Sequence, residues 1–272
     1  MNIMDFDVVI PLGPNEIKNI QSQIQHVKNN VRGFRNIYVI SYDPNIVLED
    51  CIVVSESIFP FKMEEIAAYF AQYKGKNNRN GWYLQQLLKL YAGQVIPDIL
   101  PHYLIIDADV FYLKPISFFN RIKEISSAGT KETVQYFFTV GQEYHMPYFE
   151  HMKRLHPTFR KMNMQCSGIS HHMMFSTKYV VEMMQIVEKH HGNKPFFQLF
   201  IELVKEHLNH LPTHIESGAS EYEIYFNYML QYHSDLVSIR QLKWKNVRFD
   251  YDIVNEPNVH NLDYVSVASW FK

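Results

Sequence analysis

The stretch His102–Pro115, HYLIIDADVFYLKP, decides the fold. Leu104, Ile105 and Ile106 read as a buried strand, and two aspartates, Asp107 and Asp109, follow it two residues apart. A carboxylate just beyond an apolar strand is costly to bury unless solvent, a basic partner or a metal ion compensates its charge. In an extended segment alternate residues share a face, so the two carboxylates are expected to converge. In an open parallel sheet the crevice beyond the carboxyl ends of the strands is where ligands bind. Two carboxylates there suit a hard divalent cation, Mg²⁺ or Mn²⁺, with phosphate oxygens and waters as its other ligands. The competing reading lets one aspartate start a turn and leaves the other in solvent.

Working outward, Phe6–Ile10 reads as a buried first strand ending at Pro11, with a turn at Gly13 and Pro14 and a helix from about Asn15. Asn36–Asp43 and Asp50–Ser57 read as a second and third strand. Strand, helix, strand spacing predicts an α/β fold with a mostly parallel central sheet flanked by helices. KMEEIAAYFAQY (62–73) and GWYLQQLLKLYAGQV (81–95) read as helices. The second half is less regular. VQYFFTV (134–140) reads as a strand, MPYFEHMKRL (146–155) as a short helix, and QCSGISHHMMFST (165–177) as strand-like around a glycine. Helices are expected over KYVVEMMQIVEKHHG (178–192), stopping at Gly192, over PFFQLFIELVKEHL (195–208), and over ASEYEIYFNYMLQYH (219–233), capped by Ser220. Short strands and turns follow from Asp235. No repeat, low-complexity tract or linker divides the chain, so 1–272 reads as one domain, with a regular half (1–115) and an irregular half (116–272).

Composition narrows the function classes. The 272 residues are 47% hydrophobic and 15% aromatic, enough for a sizeable core and unlike a disordered chain. A formal net charge of -2 offers no basic surplus for a nucleic-acid surface. Cys51 and Cys166 lack CxxC spacing and read as reduced, buried thiols, which points to a cytoplasmic protein. The first residues, MNIMDFDVVIPLG, lack the basic flank and long apolar run of a signal peptide. No segment reaches the apolar length of a membrane span, so any membrane action is expected to be peripheral.

Other residues gather around the aspartates. On the 81–95 helix, Trp82, Gln85 and Lys89 fall at offsets of three and four and share an edge, with Gln86 beside it. Lys89, or Arg79 on the preceding loop, is placed to reach a phosphate or a carboxylate; the bland alternative is an amphipathic helix with a solvated side. His171 and His172 point to opposite faces of an extended segment, one toward a cleft and one toward the core. Glu221 sits in the first turn of the last helix, where the positive dipole end favours an ionised carboxylate able to take a proton or bind a sugar hydroxyl, and Glu223 follows it as a charge that compensates the helix end. Charge compensation of the helix is the plain alternative.

The ordered set of these segments resembles the GT-A glycosyltransferases. LIIDADVFYLKPISFF (104–119) resembles their DxD region, VVIPLG and IYVISYD their first two strands, and GWYLQQLLKLYA the helix before the DxD strand. The combination with SGISHHMMF and SEYEIY is most similar to the DUF6492-type glycosyltransferase-like proteins, over roughly Asp5 to Leu230. The resemblance implies a Rossmann-like GT-A sheet, a Mn²⁺ or Mg²⁺ ion, and transfer of a sugar from a nucleoside diphosphate sugar, UDP-linked by preference, to a glycan, protein or lipid-linked acceptor. It implies that Asp107 faces the ribose or the metal and Asp109 is the firmer ligand. A third ligand is expected from a histidine near the C-terminus, His260 first and His233 second. Pro11, Leu12, Gly13 and Asp43 would pack against the nucleotide base. Trp82, Gln86 and Lys89 would line the donor site, His171 or His172 would meet the sugar or acceptor, and Glu221 would be the catalytic base. Phosphoryl transfer by a P-loop has no support, because no glycine-rich Walker sequence is present. A non-catalytic carbohydrate- or nucleotide-binding protein of this fold is the alternative of a different class.

Overall fold

The computed structural model describes residues 6–71, 79–126, 129–204, 217–248, 259 and 261–267. Its centre is a five-stranded sheet. β1 (Phe6–Leu12) lies in the middle, with β3 (Phe34–Ser41) and β4 (Ile52–Ser55) to one side and β5 (His102–Ile106) and β10 (His172–Ser176) to the other. β1, β3, β4 and β5 run parallel, and β10 runs antiparallel to β5. β1 is fully buried along its length, which fits its unbroken apolar run rather than an alternating one. It continues to Leu12, past the expected stop at Pro11, whose missing N–H does not prevent pairing with Ile40. Residues 13–19 form turns, and α1 (Ile20–Asn30) starts later than Asn15.

The element types expected from the sequence form, with ends that move by a few residues in either direction: β1 runs longer than expected, and residues 146–155 form a helix with the expected bounds. α2 (Met63–Ala71), α3 (Asn80–Val95), α4 (Met146–Leu155), α5 (Thr177–His190), α6 (Phe196–Glu202) and α7 (Glu221–Tyr232) flank the sheet. Ser220 caps α7 by accepting a hydrogen bond from the Glu223 amide. Gly192 follows α5 at φ 68°, the left-handed conformation that ends a helix cheaply only at glycine. α3 packs against β1 and β5, and a β-carbon on Gly93 would fall 2.5 Å from the Tyr103 ring, so glycine there sets how closely helix and sheet approach. Cys51 and Cys166 are both free and half-buried rather than buried.

The second half adds sheets that the sequence did not announce. β8 (Phe119–Ser126) pairs antiparallel with β9 (Gly129–Thr139), and β11 (Val237–Arg240) joins β9 in parallel. β13 (Tyr264–Val267) pairs with β6 (Val110–Tyr112) on one side and β12 (Trp244–Val247) on the other. Two short strands, β2 (Val31–Arg32) and β7 (Ile116–Ser117), also pair. Of the strand-like stretch 165–177 only His172–Ser176 is a strand, and the Gly141–Ser167 bridge ties the preceding loop down. None of the described helices is long and apolar enough to cross a membrane.

At the entry edge of the sheet Asp7 is fully buried and accepts from Nε and Nη2 of Arg35, at 3.1 and 2.7 Å, and from the amides of Asn36 and Leu100. One carboxylate thus joins β1, β3 and the approach to β5. Asp7→Ala leaves those donors without an acceptor and is expected to cost about 3 kcal/mol in denaturant unfolding; a loss within a few tenths would remove this role.

His151 on α4 is fully buried and donates Nε2–H to the Phe200 carbonyl at 2.8 Å. Burial pushes its pKa down to about 3. The unfolded chain therefore binds a proton that the folded chain refuses, so stability is lost as pH falls from about 6.5 toward 3. His151→Asn retains a donor without the titration, and its melting temperature is expected to depend less on pH than that of the wild type between pH 6.5 and 5. Parallel curves would refute the assignment.

Candidate active site

The strand registers bring four chain segments to one edge. Leu12 pairs with Ser41, Val9 with Ile105, and Ile106 with His172, so the residues after β1, β3 and β5 and those before β10 share the C-terminal rim of the parallel strands. β1 connects to β3 on one side while β5 lies on the other, which makes the gap between β1 and β5 the switch point where such sheets bind ligands.

Asp107, Ala108 and Asp109 occupy that gap, in a turn rather than in an extended strand. β5 ends at Ile106, the Val110 amide bonds back to the Asp107 carbonyl at 3.2 Å, and β6 begins at once. The turn is pinned on all sides. The Asp107 amide donates to the His171 carbonyl at 2.9 Å, Gln23 of α1 donates to the Asp107 carbonyl at 2.6 Å, and the Val267 amide donates to the Asp109 carbonyl at 2.7 Å.

The two side chains have different surroundings. Asp107 is partly exposed, and its Oδ1 accepts from Lys89 Nζ at 2.6 Å and from the Tyr222 hydroxyl at 2.8 Å. Asp109 accepts from the Ser266 hydroxyl on Oδ2 at 2.9 Å, while its Oδ1 is shielded from solvent and has no hydrogen-bond partner among the described residues. Burial first, and the Asp107 charge second, push the Asp109 pKa up to about 7. Glu16, in the turn after β1, has its pKa raised by burial and then by Asp109. Gly13 makes room for it, since a β-carbon there would lie 2.6 Å from Glu16 Oε2.

Lys89 is buried and bridges Asp107 to Glu221, at 2.6 Å from each, with its ammonium 4.4 Å from the Tyr222 ring centre. Burial works against its charge, but the two carboxylates outweigh that and raise its pKa. Glu221 is raised too: burial, with the Asp107 charge adding to it, exceeds the opposing pull of Lys89 and of the Glu221 backbone amide, so its position in the first turn does not leave it with the lowered pKa that was expected. Gln86, one turn before Lys89, accepts from the Glu221 amide at 3.0 Å and is itself buried. Gln85 reaches the Pro11 carbonyl at 3.4 Å.

The remaining candidates divide. Pro11 and Leu12 are buried strand residues, whereas Gly13 stands at the rim. Asp43 spends Oδ1 on a local turn, accepting from the Asn45 amide at 2.9 Å. Half-buried Trp82 stacks on Tyr148, with Arg79 5.6 Å above its ring. His171 contacts the stacked pair Trp244 and Tyr264, with Nδ1 3.3 Å from the Tyr264 hydroxyl. His172 is the core-facing member: it is buried against Tyr112 and Phe118, with Nε2 2.9 Å from Thr139 Oγ1. Glu223 is fully buried and paired with Lys161, Ser167 and the Gly168 amide. His233 caps the far end of α7, about 18 Å from Glu221 at 1.5 Å per residue, and pairs with Glu182. His260 lies outside the described residues. Among the described residues no third His, Cys, Asp or Glu completes a metal cage.

Tyr222, Ser266 and Glu16 were not picked out from the sequence. Tyr222 adjoins Glu221 in the same helical turn, while Ser266 is reached only through the pairing of β13 with β6, which no local pattern signals. An open groove along β3 and β4, lined by Arg35, Tyr38, Ile52 and Pro97, lies away from all these groups.

Residues 6–248 match the model of the "Family of unknown function (DUF6492)", and the chain belongs to that family. A comparison with curated proteins finds no match. In structure the chain is similar to mouse xyloside xylosyltransferase 1 in its apo form, with 10% identity and a TM-score of 0.45 over 97% of each chain. It is also similar to the galactosyltransferase LgtC solved with donor and acceptor sugar analogues, with 10% identity and a TM-score of 0.45 over 98% of this chain and 88% of that one.

Lys89→Met strands two carboxylates and is expected to cost about 3–5 kcal/mol of stability. Adding Glu221→Gln should return part of that loss, with a coupling of about 1–3 kcal/mol in a double-mutant cycle. Additive losses would show that the two side chains do not share a charge.

Proposed function

We propose that the protein is a divalent-cation-dependent glycosyltransferase of the GT-A type. It would move a sugar from a nucleoside diphosphate sugar, UDP-linked by preference, to a hydroxyl of a glycan, protein or lipid-linked acceptor. The observation that carries this reading is the unpartnered, solvent-shielded Oδ1 of Asp109 beside Asp107 at the switch point of the sheet. A carboxylate oxygen left without a donor in such a place suits a cation. Asp107 and Asp109 would hold Mn²⁺ or Mg²⁺, with a ligand from the C-terminal segment, His260, completing the set. Bound there, the ion would neutralise the charge growing on the departing diphosphate.

The chain's own groups supply the rest. Gly13 and the turn after β1 offer backbone groups to the base, and His171 and Trp244 face the sugar side. As the acceptor oxygen bonds to the anomeric carbon, the bond from that carbon to the diphosphate breaks, and the acceptor's hydroxyl proton passes to Glu221. The burial that raises the Glu221 pKa supports this last role.

One observation favours a second reading, a nucleotide- or carbohydrate-binding protein without turnover: Lys89 already occupies Glu221 Oε1. Thermal unfolding with Mn²⁺ and UDP separates the cases. At about a hundredfold excess over Kd, linkage predicts about 2.7 kcal/mol of stabilisation, a shift of about 5 °C that requires both ligands and vanishes in Asp109→Asn. Hydrolysis of a UDP-sugar that stops with chelator and in Glu221→Gln supports the enzyme. The shift without turnover supports the binding protein, and a shift that survives in Asp109→Asn removes the site.

A further inference from the structure

Each aspartate at the end of β5 has one oxygen already taken. On Asp107 it is Oδ1, held by Lys89 Nζ at 2.6 Å and by the Tyr222 hydroxyl at 2.8 Å. On Asp109 it is Oδ2, held by the Ser266 hydroxyl at 2.9 Å. The oxygens left are Asp109 Oδ1, which has no partner, and Asp107 Oδ2, which takes no hydrogen bond from any described residue. We propose that Tyr222, Lys89 and Ser266 are positioning residues that restrict each aspartate to a single free oxygen, so that the pair accepts a small octahedral cation, Mg²⁺ or Mn²⁺, and discriminates against Ca²⁺. This rests on the cation reading given above.

The selectivity follows from how these ions bind carboxylates. Calcium takes roughly six to eight oxygens in a flexible shell and profits from bidentate carboxylates, whereas magnesium demands near-octahedral geometry, keeps several waters and is usually held by one or two carboxylates together with phosphate oxygens. A carboxylate with one oxygen hydrogen-bonded is directed toward one-oxygen coordination. Among the described residues no group of three His, Cys, Asp or Glu is placed to hold a metal ion together, which leaves positions for water and phosphate rather than for a calcium cage.

The donors are fixed in place. The Tyr222 side chain is buried, and its hydroxyl donates to Asp107 Oδ1 at 2.8 Å. The Lys89 ammonium rests against the same ring and is held by Glu221 on its other side. Ser266 is the buried centre of β13, paired with Val110 one residue beyond Asp109. Ser and Tyr hydroxyls that orient metal-bound carboxylates commonly change metal affinity ten- to a hundredfold when removed.

The test is Mn²⁺ binding to the full chain, followed by the electron paramagnetic resonance of free Mn²⁺ and competed with Mg²⁺ or Ca²⁺. Wild type is expected to bind Mn²⁺, to yield it to Mg²⁺, and to keep most of it against a roughly hundredfold excess of Ca²⁺. Ser266→Ala frees Asp109 Oδ2 and should lower the Mn²⁺-over-Ca²⁺ preference about tenfold while thermal unfolding remains a single cooperative transition. Tyr222→Phe leaves Lys89 on Asp107 Oδ1 and should lower it less. If wild type takes Ca²⁺ as readily as Mn²⁺, or if the preference survives in Ser266→Ala, the proposal is overturned while the cation site stands. If wild type binds no Mn²⁺ at all, the cation reading itself falls.

Discussion

The ammonium of Lys89 is held between carboxylates from two distant parts of the chain, and the rest of the site is arranged around it. Burying such a charge costs several kcal/mol, which only close, well-placed counter-charges offset. Asp107 and Glu221 do so at 2.6 Å each, and the Tyr222 ring covers one side of the ammonium. The pairing therefore fixes three elements at once: α3, which carries Lys89; the end of β5; and the head of α7. Gln86 repeats the connection one turn earlier through the Glu221 amide. Lys89 brings one positive charge against the two carboxylates it touches, and Asp109, whose Oδ1 has no donor among the described residues, adds a further carboxylate without a basic partner. The local economy of charge thus concentrates attraction for a cation at one place.

A second buried carboxylate complements the first. Glu223, two residues along α7, binds Lys161, the Ser167 hydroxyl and the Gly168 amide. This holds the loop before β10 against the helix, and a β-carbon on Gly168 would fall 2.4 Å from Phe226, so the approach requires glycine. The loop delivers the His171 carbonyl that accepts from the Asp107 amide. The two acidic residues of one helical turn thus have separate tasks: Glu221 faces the charged cluster, and Glu223 secures the backbone that positions the aspartate turn.

The sheet was legible because its strands are continuous apolar runs bounded by turn residues, a pattern that arises when both faces are covered. Asp107, Asp109 and Lys89 were legible for a related reason, since charged residues beside such runs require partners. Less could be read where the partner is supplied by tertiary pairing. Nothing local to YVSV indicates that Ser266 will meet Asp109, because that depends on β13 lying beside β6 across more than 150 positions. The DxD segment was expected to be extended and is a turn, because the Val110 amide returns to the Asp107 carbonyl. Glu221 shows the opposite limit. Its place in the first helical turn suggested a lowered pKa, but proximity to a helix end is a weak effect beside full burial.

The pairing of β13 with β6 also constrains the order of events during synthesis. Contacts between residues far apart in sequence form late, because loop closure precedes any gain from the contact. β1, β3 and β5 can associate once the first hundred or so positions have emerged, yet β10 joins them from position 172 and the serine that steadies Asp109 arrives at 266. A nascent chain can therefore possess its central sheet well before it possesses a finished acidic pair.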